Sequence, residues 1–165
     1  MRRFAWASTL AVIGIFAGCA AAPRAALEMT ENIRPIPLFS GLSEAELDRV
    51  AGLCSVRECP AGMMFIRQGS PNDRLYIIHE GKAEVRVNGR TVTTMERDAV
   101  AGEMEFVDNR PASADVVMAT NGKLIEIKKA ELQQLMDSQP RLGLTIMGNI
   151  ARILSEKLRA MNVPK

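Results

Sequence analysis

The chain has 165 residues, 47% hydrophobic and 24% charged, with a formal net charge of +2, which is the size and composition of one soluble globular domain. Lys and Arg are not gathered into a run of one sign, so no nucleic-acid partner is expected. A single histidine, His79, excludes multi-histidine metal centres and leaves any histidine-based catalysis to that one residue.

The start, MRRFAWASTLAVIGIFAGCAAAP, has Arg2 and Arg3, then an apolar stretch of signal-peptide type, then small residues at Ala17-Gly18-Cys19. That is the layout of a secretory signal. The cysteine directly after Phe16-Ala17-Gly18 resembles the lipobox of bacterial lipoproteins, with Phe16 where Leu, Val or Ile is usual. The resemblance implies that residues 1–18 are removed and that Cys19 is acylated. It also implies that Ala20, in place of an Asp, sends the protein to the outer membrane, facing the periplasm. Several acyl chains anchor stably, because each buried methylene contributes about 0.8 kcal/mol. The plainer readings are an uncleaved inner-membrane anchor over Phe4 to Ala22, nearly long enough to span a bilayer, or a cytosolic chain with a misleading start. Arg2 and Arg3 keep the N-terminus inside in the anchored readings, which put the domain in the cell envelope with the lipid membrane as a partner. With Cys19 acylated, Cys54 and Cys59 remain, and an oxidising compartment permits a disulfide between them. The other reading is two thiols, one on the end of a helix and one at the start of a strand.

Residues 19–32, CAAAPRAALEMTEN, read as a tether. The domain is expected over 33–161, with 162–165 as a tail. Pro35 and Pro37 flank an apolar knot, IRPIPLF. Ser43-Glu44-Ala45-Glu46 is a capping box, so a helix starts at Ser43, with Leu47, Val50, Ala51 and Cys54 as its buried stripe. The period then changes to two. Strands are expected at VREC, MMFIRQG and LYIIHEG, and KAEVRVNGRTVTTM alternates around Asn88-Gly89, a strong hairpin signal. ADVVMA and KLIEIKK are two more strands. Short strands at this spacing mean an all-β roll or barrel. Helices return at Lys129 to Asp137 and from Pro140 to about Met161. On the last helix Met147, Ile150, Leu154 and Met161 either pair two copies as a homodimer or simply cover the roll. The ten methionines read as core filler rather than as a metal-binding stripe.

PLFSGLSEAELDRVA, PAGMMFIRQGSPNDRLYIIHEGKAEV with Gly69 and Gly81 at its turns, GEMEFVDNRPASADV and NIARILSEKLRAMN follow one another in the order of the cyclic-nucleotide-binding domain family, which the chain resembles over nearly all of residues 33–161. The family includes bacterial catabolite activators, kinase regulatory subunits and gated channels. The resemblance implies a mainly β fold: a cyclic-nucleotide-binding-like β-roll (double-stranded jelly roll) with an N-terminal helix and two C-terminal helices. It implies that GEMEFVDNRPASADV, Gly102 to Val116, is a phosphate-binding cassette, and that a ligand would meet Gly102, Glu103, Met104, Arg110, Ser113 and Ala114.

The chemistry of such a cassette can be stated group by group. A glycine allows close backbone approach. A helix start aims N–H groups at an anion. A Glu accepts a bond from a ribose hydroxyl, and an Arg after the Pro grips the phosphate with a forked donor. Gly102, Glu103, Pro111, Ser113 and Ala114 match the pattern. The Arg position is Ala112. Arg110 is two residues away across a proline and is the candidate substitute. The cassette carries Glu103, Glu105, Asp108 and Asp115 against Arg110 alone, a net of −3, which opposes an incoming anion. Losing a charge-assisted contact of this kind costs about 1.5–3 kcal/mol.

Two functional readings follow. One is a non-enzymatic interaction or regulatory module at the membrane, with impaired cyclic-phosphate binding and an unnamed protein partner. The other is a working sensor of cyclic AMP, cyclic GMP or another small ligand in the same cleft. No catalytic residues, cofactor or metal are expected. Glu103 and Glu105 are poor candidates for an acid/base pair, and no DNA-binding helix-turn-helix is expected before Lys165.

Overall fold

The computed structural model describes residues 21–162. The apolar start and Cys19 lie outside the described residues. The first element is a helix, α1 (Ala21–Ile33). It replaces most of the segment expected as a tether. Ala-rich sequence reads as linker when nothing is seen to pack on it, but alanine is also the best helix former. Here Thr30 and Ile33 are buried, Met29 packs against the same core, and the Thr30 hydroxyl donates to Asp48 Oδ1 at 2.8 Å. The packed unit therefore begins before residue 33.

A 3-10 turn at Pro37–Phe39 and helix α2 (Glu44–Ala51) follow. Ser43 is the N-cap, and Glu46 Oε2 accepts from the Ser43 amide at 2.7 Å and its hydroxyl at 2.8 Å. The helix stops one turn before Cys54, which was expected on its buried stripe. Cys54 instead opens strand β1 (Cys54–Cys59) and still packs against the apolar layer that Leu47 and Val50 enter. The strands continue as β2 (Met64–Ile66), β3 (Arg74–Glu80), β4 (Ala83–Val87), β5 (Arg90–Met95) and β6 (Val100–Ala101). After the short helix α3 (Glu103–Asp108) come β7 (Asp115–Met118) and β8 (Gly122–Lys128), then α4 (Lys129–Ser138) and α5 (Pro140–Met161). The β4–β5 hairpin closes at Asn88-Gly89, where both residues have positive φ, 50° and 77°, as the expected two-residue turn demands.

The strands form two antiparallel four-stranded sheets, β1-β8-β3-β6 and β2-β7-β4-β5. This is the expected roll with flanking helices. The inner strands of the first sheet, β8 and β3, are buried on both faces. Ile125 and Ile127 of β8 join the helical layer, and Leu124 of the same strand faces the roll. The helical layer is sealed by Asn149 of α5, whose Nδ2 donates to the carbonyls of Leu38 at 3.0 Å and Ser40 at 2.8 Å.

Cys54 and Cys59 are free thiols, so the disulfide reading is corrected. They stand at the two ends of one extended strand, an odd number of residues apart. That puts them on opposite faces and about 16 Å apart along the chain, far beyond bridging distance. Burial pushes the Cys54 thiol up to about 12 and raises that of Cys59 as well.

The Ser43 amide, the Arg141 guanidinium and the Ser43 hydroxyl together hold the Glu46 carboxyl at about 2, below its ordinary 4.5. A carboxyl depressed by folding stabilises the protein above its unfolded value, and that contribution is lost as pH falls through the folded value. The melting temperature should therefore drop between pH 4.5 and 2, and the drop should be shallower in Glu46→Gln, as melting curves taken across that range will show.

Candidate functional site

The cassette is the crossover from the first sheet to the second. Strand β6 ends at Ala101, paired with Tyr76 of β3. The chain then turns through Gly102 at φ +89° into α3. A Cβ at Gly102 would lie 2.5 Å from the Arg74 carbonyl oxygen and 2.7 Å from Asn72 Nδ2. Only glycine fits this backbone and this approach.

Glu103, the residue placed to meet a ribose hydroxyl, is 3% exposed. Its Oε1 accepts from Lys157 Nζ of α5 at 2.6 Å, and the same ammonium donates to the Val100 carbonyl at 2.7 Å. The other acids of the cassette also have internal work. Asp108 Oδ1 accepts from the Arg110 amide at 3.0 Å, and Asp115 Oδ1 from the Gln68 amide at 2.7 Å. Glu105 is buried, and its carbonyl accepts from Lys129 Nζ. Of the four carboxylates, Glu103 meets a cation from outside the loop, Asp108 and Asp115 accept backbone amides, and the contact at Glu105 is made by its backbone carbonyl.

Ala112 and Ala114 are buried, Ala112 within the apolar cluster that fills the roll. The Ala112 amide donates to the Ser70 carbonyl at 2.9 Å, and its carbonyl accepts from the Gly69 amide at 2.8 Å. That amide is therefore not free for an anion. The Ser113 hydroxyl lies 3.6 Å from Met104 Sδ, and both side chains are exposed. Met104 and Ser113 are brought into contact across the cassette, and Gly102 and Glu103 stand at the start of α3. Arg110 is not brought beside Ala112. Its side chain is 82% exposed, 4.0 Å from Asp108 at its nearest carboxylate contact. It lines an open cleft of about 180 Å³ with Pro71, Asn72, Asn109, Pro111 and Lys129, between the β2–β3 loop and the start of α4.

On the roll-facing side of the first sheet, Glu126 is buried between two arginines. Arg57 Nε lies 2.5 Å from Glu126 Oε1, without the direction of a hydrogen bond, and Arg74 Nη1 lies 3.4 Å from Oε2. Tyr76 sits beside them, and burial, with Glu126 second, raises its phenol. Lys157, Lys129 and Asn72 were not legible as members of this region, because no spacing in the sequence relates them to the cassette. Among the described residues no cluster of His, Cys, Asp or Glu is arranged to hold a metal ion, and no helix is long and apolar enough to cross a membrane.

Residues 56–139 match the family model described as cyclic nucleotide-binding domain. The chain is 32% identical over 111 residues to the Pycsar effector protein of Xanthomonas perforans, covering 67% of this chain and 37% of that protein. It is 31% identical over 111 residues to a cyclic nucleotide-gated potassium channel of Mesorhizobium japonicum, covering 67% and 31%. The chain thus spans about a third of the length of these two relatives. Among solved structures it is similar to a cyclic nucleotide-binding domain from Methylobacillus flagellatus, with a TM-score of 0.73, 24% identity and coverage of 84% of this chain and 81% of that one. It is also similar to the catabolite activator protein of Thermus thermophilus, with a TM-score of 0.65, 26% identity and coverage of 76% and 60%.

The jam at Gly102 has a measurable cost. Gly62 has nearly the same φ, +84°, but open space around its Cβ position. Gly62→Ala should cost about 1–2 kcal/mol from the left-handed backbone alone. Gly102→Ala should cost clearly more, since the Arg74 carbonyl must also give way. Urea unfolding of both variants checks this, and equal costs would show that the contact carries no weight.

Proposed function

The chain belongs to the cyclic nucleotide-binding domain family, and from that premise we propose that it is a non-catalytic regulatory or interaction module whose binding of cyclic phosphate is impaired. The observation that carries the reading is Ala112. Where the family's cassette presents an arginine, this chain has a methyl group buried in the roll, with its backbone amide already bonded to Ser70. Arg110 does not replace the missing cation, because its side chain stands out in solvent. The cyclic nucleotide-gated channel among its relatives illustrates the class of role: a fold that reports to something else rather than one that performs chemistry.

The proposal includes an anchor. The layout of residues 1–19 supports an acylated Cys19 in the cell envelope. Helix α1 begins two residues after that cysteine, so the anchor would hold the domain close to the membrane surface. Leu144, Leu158 and Met161 of α5 are exposed apolar residues, and the last two, on the same end of the helix, are offered to a protein partner or a second copy.

Calorimetric titration of the full chain in detergent with cyclic AMP and cyclic GMP tests the main reading. The wild type is expected to give no saturable heat at micromolar ligand, and Ala112→Arg is expected to bind about tenfold or more tightly. Micromolar binding by the wild type, abolished in Glu103→Ala, would overturn impairment in favour of a working sensor. For the anchor, cells fed labelled palmitate should label the full chain and leave Cys19→Ser unlabelled.

A further inference from the structure

The carboxylate of Glu103 already has an occupant. Lys157 reaches it from the far end of the chain, 54 residues away, with its ammonium 2.6 Å from Oε1 and 2.7 Å from the Val100 carbonyl. The Glu103 side chain is only 4% exposed. A hydroxyl approaching that oxygen meets Lys157 first. A buried carboxylate is costly without a partner, so Glu103 is held either by the ammonium or by a donor that replaces it.

Helix α5 divides at the same place. Up to Ile150 its inward side chains are buried, and Ile153 and Leu154 are partly so. From Ser155 to Asn162 every residue is exposed. Among the described residues, Lys157 makes the only side-chain hydrogen bonds from this stretch to the rest of the protein. Leu158 and Met161 lie beside it, 58% and 79% exposed. The last two turns of α5 are therefore joined to the roll through the same ammonium that fills the site.

We infer that Lys157 is an internal ligand of the cassette: it takes the carboxylate a ribose hydroxyl would need, and through that contact it latches the distal half of α5 onto the roll. The inference rests on the reading of Glu103 as the sugar-binding residue. Linkage makes the latch work in both directions. A ligand bringing vicinal hydroxyls to Glu103 displaces Lys157 and frees the helix end. A partner that draws Leu158 and Met161 away from the roll opens Glu103 to such a ligand. The selected ligand class is a ribose-bearing one, and because Ala112 offers no cation, the competition at Glu103 concerns the sugar and not the phosphate.

The test uses the full chain in detergent with Lys157→Met, which keeps the stem and removes the charge, and Lys157→Arg, which keeps the charge. In the ligand-free proteins, hydrogen exchange of amides 155–159 should rise about tenfold or more in Lys157→Met, stay near wild type in Lys157→Arg, and be unchanged over 142–150 in both. Adenosine, which has the ribose diol and no phosphate, should bind Lys157→Met about tenfold or more tightly than the wild type by calorimetry. Unaltered exchange of the helix end in Lys157→Met overturns the latch. Adenosine affinity no higher in Lys157→Met, including no binding by either protein, overturns the competition. These outcomes are separable from the cyclic-phosphate question. The exchange is read without ligand and adenosine carries no phosphate, so micromolar cyclic AMP binding by the wild type would overturn impairment and leave the latch to be judged on its own readouts.

Discussion

The structure depends on the inner strands of one sheet having to bury both faces. In β8, Leu124 faces the roll while Ile125 and Ile127 face the helices, and all three are fully buried. A one-residue slip would exchange the two sets. Glu126 makes that slip still costlier. In the observed register it meets Arg57 and Arg74 across the neighbouring strands. Slipped, it would enter the isoleucine-rich helical layer with no cation, and an unpaired buried charge is among the most destabilising changes a core can suffer. The register of β8 places β3, β3 places β6, and β6 delivers Gly102 to its narrow passage against the Arg74 carbonyl.

From that point the cassette keeps its shape without external help. Its far end is stitched to the β2–β3 loop by the paired backbone bonds of Ala112 with Gly69 and Ser70, and three of its acids accept bonds from Lys157, Gln68 and its own backbone. The Ala112 amide, next to the missing arginine side chain, is already bonded to the Ser70 carbonyl. Fold and ligand chemistry are separable, and the chain retains the geometry of the family's cassette while the group that neutralises a phosphate has become a buried methyl.

Helix α5 packs in the helical core and reaches the cassette through one side chain. Its first half belongs to the helical layer, where Asn149 caps the carbonyls of the 3-10 turn. From Ser155 onward, its side-chain hydrogen bonds to the rest of the described residues are those of Lys157. One helix thus combines a permanent wall with a weakly held end, and the point of change falls opposite Glu103. The residues that could pair copies are divided in the same way. Ile150 is fully buried, Met147 and Leu154 pack partly against the core, and only Met161 is free.

Much of this was legible because it is local. Alternation named the strands, Asn88-Gly89 named the hairpin, and Ser43 and Glu46 named a helix start. Each rests on interactions between residues a few positions apart. Helix α1 was not legible, since an alanine-rich segment becomes a helix only when Thr30 and Ile33 find a surface to cover. Cys54 was assigned to the helix because helical and strand stripes share their first contact, and the two-residue β6 is too short to leave a period. The sequence by itself determined most of the elements from α2 onward, their order along the chain and the absence of an arginine at position 112. The tertiary structure alone decided that Arg110 stands out in solvent, that the two cysteines face apart and that Lys157 fills the site. Side-chain period records which face of an element is buried, whereas the partner across the gap is set by how two sheets and a crossing helix close on one another.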